Sequence, residues 1–321
     1  MVSRRKIFTA IGLGLASALF AMPVYATEPN VVVTLKPVHS LVAQVMAGAG
    51  TPHLIVDGAA SPHTFTLKPS GARAISEADV FIRISEALEP FTRKVAEALP
   101  PSVKLISLID APGVIVLPQR HGETFEKHEQ HEAGAADHDE NHDEDKGGGK
   151  DGHIWLDPIN AKAIVATIAK VLSETYPESA EKFSANAAAL TAKLDALNSE
   201  IETQLAAVKD KPFIVFHDSM QYFERRYGLA AAGSVTITPD VQPGAKRLTA
   251  VRKKIADLGA VCVFAEPAFQ PNLVAAVTEG SKARAGTLDP EAVLLTAGPE
   301  LYFDLMRGLA QAMRSCFSAQ D

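Results

Sequence analysis

After Pro177, apolar residues return at Phe183, Ala187, Leu190, Leu194, Leu197, Ile201, Leu205 and Val208, always three or four positions apart. That spacing is one face of a continuous α-helix. The pattern holds over 178–208, about 31 residues, and a helix of that length spans roughly 46 Å. Pro212 stands just past its end. The charges beside the apolar face lack the e/g pattern of a coiled coil, and the face is rich in Ala. The helix therefore reads as a rigid strut packed beneath whatever lies on either side. Such a strut, unlike a two-strand hinge, limits how far two lobes can close.

On either side lies the same pattern. Before the helix, short β-branched runs (Val31-Val32-Val33-Thr34-Leu35, Leu54-Ile55-Val56, Val80-Phe81-Ile82-Arg83-Ile84, Lys104-Leu105-Ile106-Ser107-Leu108) alternate with helical stretches, the first over 38–46. After it come Phe213-Ile214-Val215-Phe216, Ser234-Val235-Thr236-Ile237, Val261-Cys262-Val263-Phe264 and Val293-Leu294-Leu295. Strands separated by helices imply parallel βα units. The expected fold is α/β: an N-terminal lobe over 27–177, a linker helix over 178–208 and a C-terminal lobe over 209–321. Each lobe carries a mainly parallel sheet flanked by helices, and a cleft lies between them.

Residues 1–26 stand outside this plan. Arg4, Arg5 and Lys6 precede an uncharged run from position 7 to 21, which leads to Val24-Tyr25-Ala26. A basic start, a short apolar stretch and a small-residue exit read as a signal peptide cleaved near Ala26. The run is shorter than the ~20 residues of a membrane span, and no later stretch is long and apolar enough to be one. The Arg pair leaves twin-arginine export open beside the general secretory route. The mature chain is expected to be soluble and periplasmic. In that oxidising compartment the two cysteines, Cys262 and Cys316, are most simply a disulfide, worth about 4 kcal/mol by loop closure. They lack the CxxC spacing of a thiolate metal site.

A second segment also breaks the pattern. Between 121 and 145 stand ten acids, one lysine and five of the ten histidines: His121, His128, His131, His138 and His142. The whole chain carries a formal charge of −7, so this window holds its acidic excess and leaves no basic face for nucleic acid. The segment 120–152 is expected to be a disordered loop within the first lobe. It is either a solvated acidic linker or a low-affinity collector of cations.

Five histidines remain. His63, His153 and His217 stand beside strand ends, in Ala60-Ser61-Pro62-His63-Thr64-Phe65, Asp151-Gly152-His153-Ile154-Trp155-Leu156-Asp157-Pro158 and Val215-Phe216-His217-Asp218-Ser219. Strand-end loops are where α/β folds bind ligands. Three imidazoles suit Zn²⁺, Cu²⁺ or Ni²⁺ better than Mn²⁺. His39, at a helix start, is an accessory or orienting candidate, and His53 reads as a surface residue.

These phrases, with Gly58-Ala59-Ala60, Val241-Gln242-Pro243-Gly244-Ala245, Phe264-Ala265-Glu266-Pro267 and Gly286-Thr287-Leu288-Asp289-Pro290, resemble the metal-binding receptors of ABC transporters, in the periplasmic zinc-binding ZnuA branch. The resemblance runs in order over nearly all the mature chain, the His-rich insertion included. It implies two α/β lobes joined by a long helix. It also implies Zn²⁺ as a transported ligand bound by His63, His153 and His217, and an inner-membrane ABC permease with its ATPase as partners of a monomeric, non-catalytic receptor. Some relatives carry a carboxylate just before the first His, where this chain has Pro62. Asp289 or a water must then complete the site. Glu266 and Gln242 are expected to organise the cleft by hydrogen bonds, and Asp157 and Asp218 to orient ligands. Competing readings are a three-His zinc hydrolase with Glu266 as its base, a manganese or other divalent-metal receptor, and a periplasmic metal buffer without a permease.

Overall fold

The computed structural model describes residues 28–120, 149–236, 239, 243–259, 262–269 and 272–318. The leader, the histidines of the acidic window and Gln242 lie outside the described residues. Two four-stranded parallel sheets have the same strand order. In the first half, β1 (Val31–Val33), α1 (Lys36–Val45), β2 (His53–Leu54), α2 (Pro69–Ser76), β3 (Val80–Arg83), α3 (Arg93–Glu97) and β4 (Lys104–Ser107) build the sheet β2-β1-β3-β4. Then come α4 (Pro158–Thr175) and α5 (Ala180–Leu205). In the second half, β5 (Phe213–Val215), α6 (Gln221–Tyr227), β6 (Ala231–Ser234), α7 (Ala245–Leu258), β7 (Cys262–Ala265), α8 (Asn272–Thr278) and β8 (Arg284–Thr287) build β6-β5-β7-β8, and α9 (Leu301–Ser318) closes the chain. All three residues of β1, all four of β3 and all three of β5 are buried. Near-continuous apolar runs, with Arg83 ending β3, are what parallel strands covered on both faces require.

The strut is present. α5, with a 3₁₀ turn at each end, makes a helical run of 32 residues. Its buried residues are Phe183, Ala187, Leu190, Leu194, Leu197, Ile201 and Leu205, the face that the spacing selects. It packs on α1 and α4 of the first half and on α9 of the second. One contiguous apolar cluster runs from Val31 to Phe317 through both halves, so the sheets share a core rather than hang on a hinge. Cys262 of β7 and Cys316 of α9 form the disulfide, with a Cα–Cα distance of 6.2 Å.

Two strands differ from expectation. Val293-Leu294-Leu295 is a turn, with Leu294 70% exposed. The edge position belongs instead to β8, whose alternating burial gave only a weak apolar signal. The strand expected at 234–237 begins earlier, at Ala231, and Val235 and Thr236 extend its ladder by donating to Val215 O and Phe216 O at 2.9 Å.

Candidate metal centre

His63, His153 and His217 come from separate parts of the chain and meet at one point. His217 follows β5, a central strand, and Glu266 follows its neighbour β7, so both stand at the carboxyl ends of parallel strands. His153 opens a 3₁₀ turn (Ile154–Leu156) ahead of α4. That helix begins where Pro158 takes its first turn and the Asp157 carboxylate accepts from Ile159 N at 2.8 Å. His63 sits in a turn after β2 in which Thr64 N donates to Ser61 O.

The three ring centroids are 5.2–5.4 Å apart, and one nitrogen from each ring lies within 4.8 Å of the others. Nε2 of His153 and Nε2 of His217 approach to 3.2 Å. With Zn–N bonds of ~2.0–2.1 Å, the edge of a tetrahedral site is about 3.3 Å. The rings are therefore spaced for a metal between them. Their outer nitrogens are already engaged: Nδ1 of His153 is 2.7 Å from Asp151 Oδ1, and Nδ1 of His217 is 2.7 Å from Glu266 Oε1. Donation from both Nδ1 atoms leaves both Nε2 lone pairs aimed inward, the arrangement by which carboxylates orient metal-binding imidazoles.

Electrostatics separate His217 from His63. Burial alone would lower the pKa of His217, but the Glu266 carboxylate overrides it and raises the pKa. His63 faces no such carboxylate bond, and burial, then the neighbouring His153 and His217, hold its pKa well below the ordinary imidazole value. At neutral pH His63 offers a free lone pair, while a proton competes for His217.

Asp289 is not in the three-His group. Its carboxylate accepts from Val293 N and Leu294 N, both at 2.9 Å, and so caps the turn after β8. The acid that reaches the cluster is Glu291, 7% exposed, with Oε1 3.5 Å from His63 Nε2. Burial, then the charge of Glu266, pushes its pKa up to about 8. Glu266 also accepts from His217 N at 3.2 Å. Asp157 caps α4 and pairs with Arg226, and Asp218, next to His217 in the chain, pairs with Arg120. His39 is buried beside Pro52, its Nε2 3.0 Å from that carbonyl, outside the three-His group. His53 is exposed on β2.

Two site residues went unread in the sequence, Asp151 and Glu291. The signal for Asp151 was its place two residues before a candidate His. The signal for Glu291 was a lone acid opening the apolar run Ala292-Val293-Leu294-Leu295.

The base of the acidic window also touches the site. Gln119 N donates to Gly149 O at 2.7 Å and Asp151 N to Leu117 O at 2.8 Å, so the two stems pair directly beside His153. Arg120 reaches across to Asp218 and Glu224, and Gln221 Nε2 donates to Asp151 Oδ2 at 3.1 Å. The stems therefore bridge the first half to α6 at the mouth of the cleft.

Comparison with known proteins points the same way. Residues 31–316 match the family described as ZnuA, zinc-uptake complex component A, periplasmic. The chain is 45% identical over 306 residues to a Brucella suis protein named high-affinity zinc uptake system protein ZnuA, covering 90% of this chain and 92% of that one. A Paracoccus denitrificans protein of the same name is 37% identical over 329 residues, covering 99% and 100%. Among solved structures, a zinc-bound ZnuA deletion mutant is 26% identical with a TM-score of 0.72, covering 91% of this chain and 98% of that one. The Mn²⁺ complex of FpvC from Pseudomonas aeruginosa, 18% identical with a TM-score of 0.75 over 91% and 99%, shares the fold. With a match over nearly the whole described chain, this protein belongs to the ZnuA family of periplasmic zinc-uptake components.

Proposed function

We propose that this chain is the zinc-capturing receptor of an ABC uptake system. It binds Zn²⁺ as cargo between His63, His153 and His217 and passes it to an inner-membrane permease driven by its ATPase. It works as a monomer in the periplasm once the leader at 1–26 is removed. The observation that carries this reading is the convergence of three inward-facing imidazole nitrogens, two of them aimed by buried carboxylates. An all-imidazole core favours zinc over manganese, which prefers oxygen donors. The shared core beneath the two sheets supports small movements over wide closure.

A hydrolase reading needs a general base near the metal. Glu266, the best candidate, is committed to the Nδ1 and backbone N–H of His217. Competition against a chromophoric chelator tests the proposal. Wild-type protein should take one tightly bound Zn²⁺ and exclude Mn²⁺, and His153→Ala should lose most of that affinity. Tighter binding of Mn²⁺, or full affinity in His153→Ala, would refute it.

A further inference from the structure

Asp151 belongs to the first half, yet its side chain is anchored by the second. Its Oδ1 accepts from His153 N at 2.9 Å and lies 2.7 Å from His153 Nδ1, so one oxygen sets both the backbone and the ring of that histidine. The other oxygen is held by α6: Gln221 Nε2 donates to Asp151 Oδ2 at 3.1 Å and to Pro118 O at 3.0 Å. The next residue of α6 holds the backbone. The buried Tyr222 hydroxyl donates to Asp151 O at 2.7 Å and accepts from Leu117 N at 2.9 Å. The first half contributes the bond from Asp151 N to Leu117 O and the packing of Gly152, where a Cβ would lie 3.0 Å from Leu88 Cβ.

The Asp151 carboxylate is 2% exposed, so each oxygen depends on its protein donors. With Gln221 in place, one orientation of the carboxylate satisfies both oxygens and presents Oδ1 to His153. Without it, Oδ2 lacks that donor and the carboxylate gains by turning away from the ring. The tilt of an imidazole decides where its lone pair points, and the groups that fix this tilt are worth about 10–100-fold in metal affinity.

We propose that Gln221 and Tyr222 of α6 are positioning residues for the metal site, clamping Asp151, and through it His153, from the opposite half of the molecule. The proposal rests on the three-His reading and makes its affinity depend on the contact between the halves. A slide of about 1 Å between α6 and the stems at 117–120 and 149–151 stretches these bonds past hydrogen-bonding distance. His153 then loosens although nothing has touched the zinc. Release of the cargo thus needs only a small movement, which a core shared by both sheets permits. The ion pairs of Arg120 with Asp218 and Glu224 flank the same contact and resist the slide.

The test uses the full mature chain carrying Gln221→Met, Tyr222→Phe, Asp151→Ala or Asp151→Ala together with Gln221→Met, each checked without metal by circular dichroism and thermal melts. Met keeps the length of Gln and Phe keeps the ring of Tyr, so the fold should survive. Phe183→Leu, on the buried face of α5, supplies a loss of stability outside the site. Zinc affinity is read by chelator competition, release by stopped-flow capture with excess chelator, and ligand geometry by the visible spectrum of the Co²⁺-loaded protein. Gln221→Met and Tyr222→Phe should each weaken zinc binding about 3–10-fold, chiefly through faster release, and shift the cobalt bands in the direction that Asp151→Ala shifts them. Phe183→Leu should leave affinity and bands in place. In the Asp151→Ala background, Gln221→Met should change affinity by less than about twofold, because the residue it acts through is gone. Wild-type cobalt bands in both α6 variants, or an undiminished effect of Gln221→Met in the absence of the Asp151 carboxylate, would overturn the clamp. His153→Ala separates the two levels: lost affinity there with silent α6 variants overturns the clamp alone, whereas full affinity in His153→Ala overturns the three-His reading itself.

Discussion

The bond between His217 and Glu266 makes a quantitative demand on zinc binding. Glu266 Oε1 lies 2.7 Å from His217 Nδ1, both side chains are buried, and the carboxylate raises the imidazole pKa above its ordinary 6.5. Replacing Glu266 by Gln keeps an acceptor of the same shape and removes the charge. A hydrogen bond to a charged group is worth about 1.5–3 kcal/mol and a neutral one about 1, so the change should cost about 0.5–2 kcal/mol of zinc affinity, roughly 2–30-fold in Kd. The pH dependence should change as well. In the wild type a proton competes with zinc for His217 and affinity begins to fall as pH drops through a value above 6.5. Without the charge, burial dominates, the proton binds less tightly, and the fall begins at lower pH. The variant should therefore be weaker at pH 8 and lose less of its affinity between pH 8 and 6. Chelator-competition titrations of both proteins over that range, with thermal melts as a folding control, measure both effects. An unchanged Kd at pH 8 together with an unchanged pH profile would refute the idea that Glu266 tunes a metal-binding imidazole.

Other consequences concern the scaffold and the insertion. A Cβ on Gly286 would lie 2.6 Å from the Phe264 ring, which is packed between Phe213 and Phe317, so Gly286→Ala should cost about 1–3 kcal/mol in urea unfolding. Burial raises the Glu89 carboxyl to about 7. An acid with a raised folded-state pKa costs stability as pH climbs from its unfolded value of about 4.5 to about 7, here by up to about 3 kcal/mol. Glu89→Gln should therefore gain stability relative to wild type between pH 5 and 8, and a pH-independent difference in urea unfolding would contradict this. Deleting residues 122–148, whose flanking stems already pair beside His153, should leave the affinity of the cleft intact and lower total zinc stoichiometry, read by calorimetry. Unchanged stoichiometry would make the segment a solvated linker.

Periodicity carried the fold where it was strong. The α5 face could be read residue by residue because a long buried stripe needs an apolar group at every turn. The all-buried strands β1, β3 and β5 were legible for the same reason. The short edge strand β8 was not, since its exposed and half-buried residues leave little apolar signal. Val293-Leu294-Leu295 imitated a strand by composition, yet Lys36 and Asp289 bind its backbone groups and turn it into a loop. The same turn sets the hydrogen bonds of Asp289. Local sequence identifies an acid near a ligand position, but only the turn decides that this acid bonds its own backbone and sends Glu291 inward. The three histidines were visible from strand-end placement and family resemblance. Of their carboxylate partners, Asp151 stands two residues before His153, whereas Glu266 lies 49 residues from His217, a contact that local pattern does not encode.

Zinc-loaded crystals measured at the zinc absorption edge put the central claim to the most direct trial. A single anomalous peak should lie about 2.0–2.1 Å from Nε2 of His153, Nε2 of His217 and a ring nitrogen of His63, with the other ring nitrogens of His153 and His217 still on Asp151 and Glu266. A peak held by other residues, or zinc bound by fewer than these three imidazoles, would contradict it.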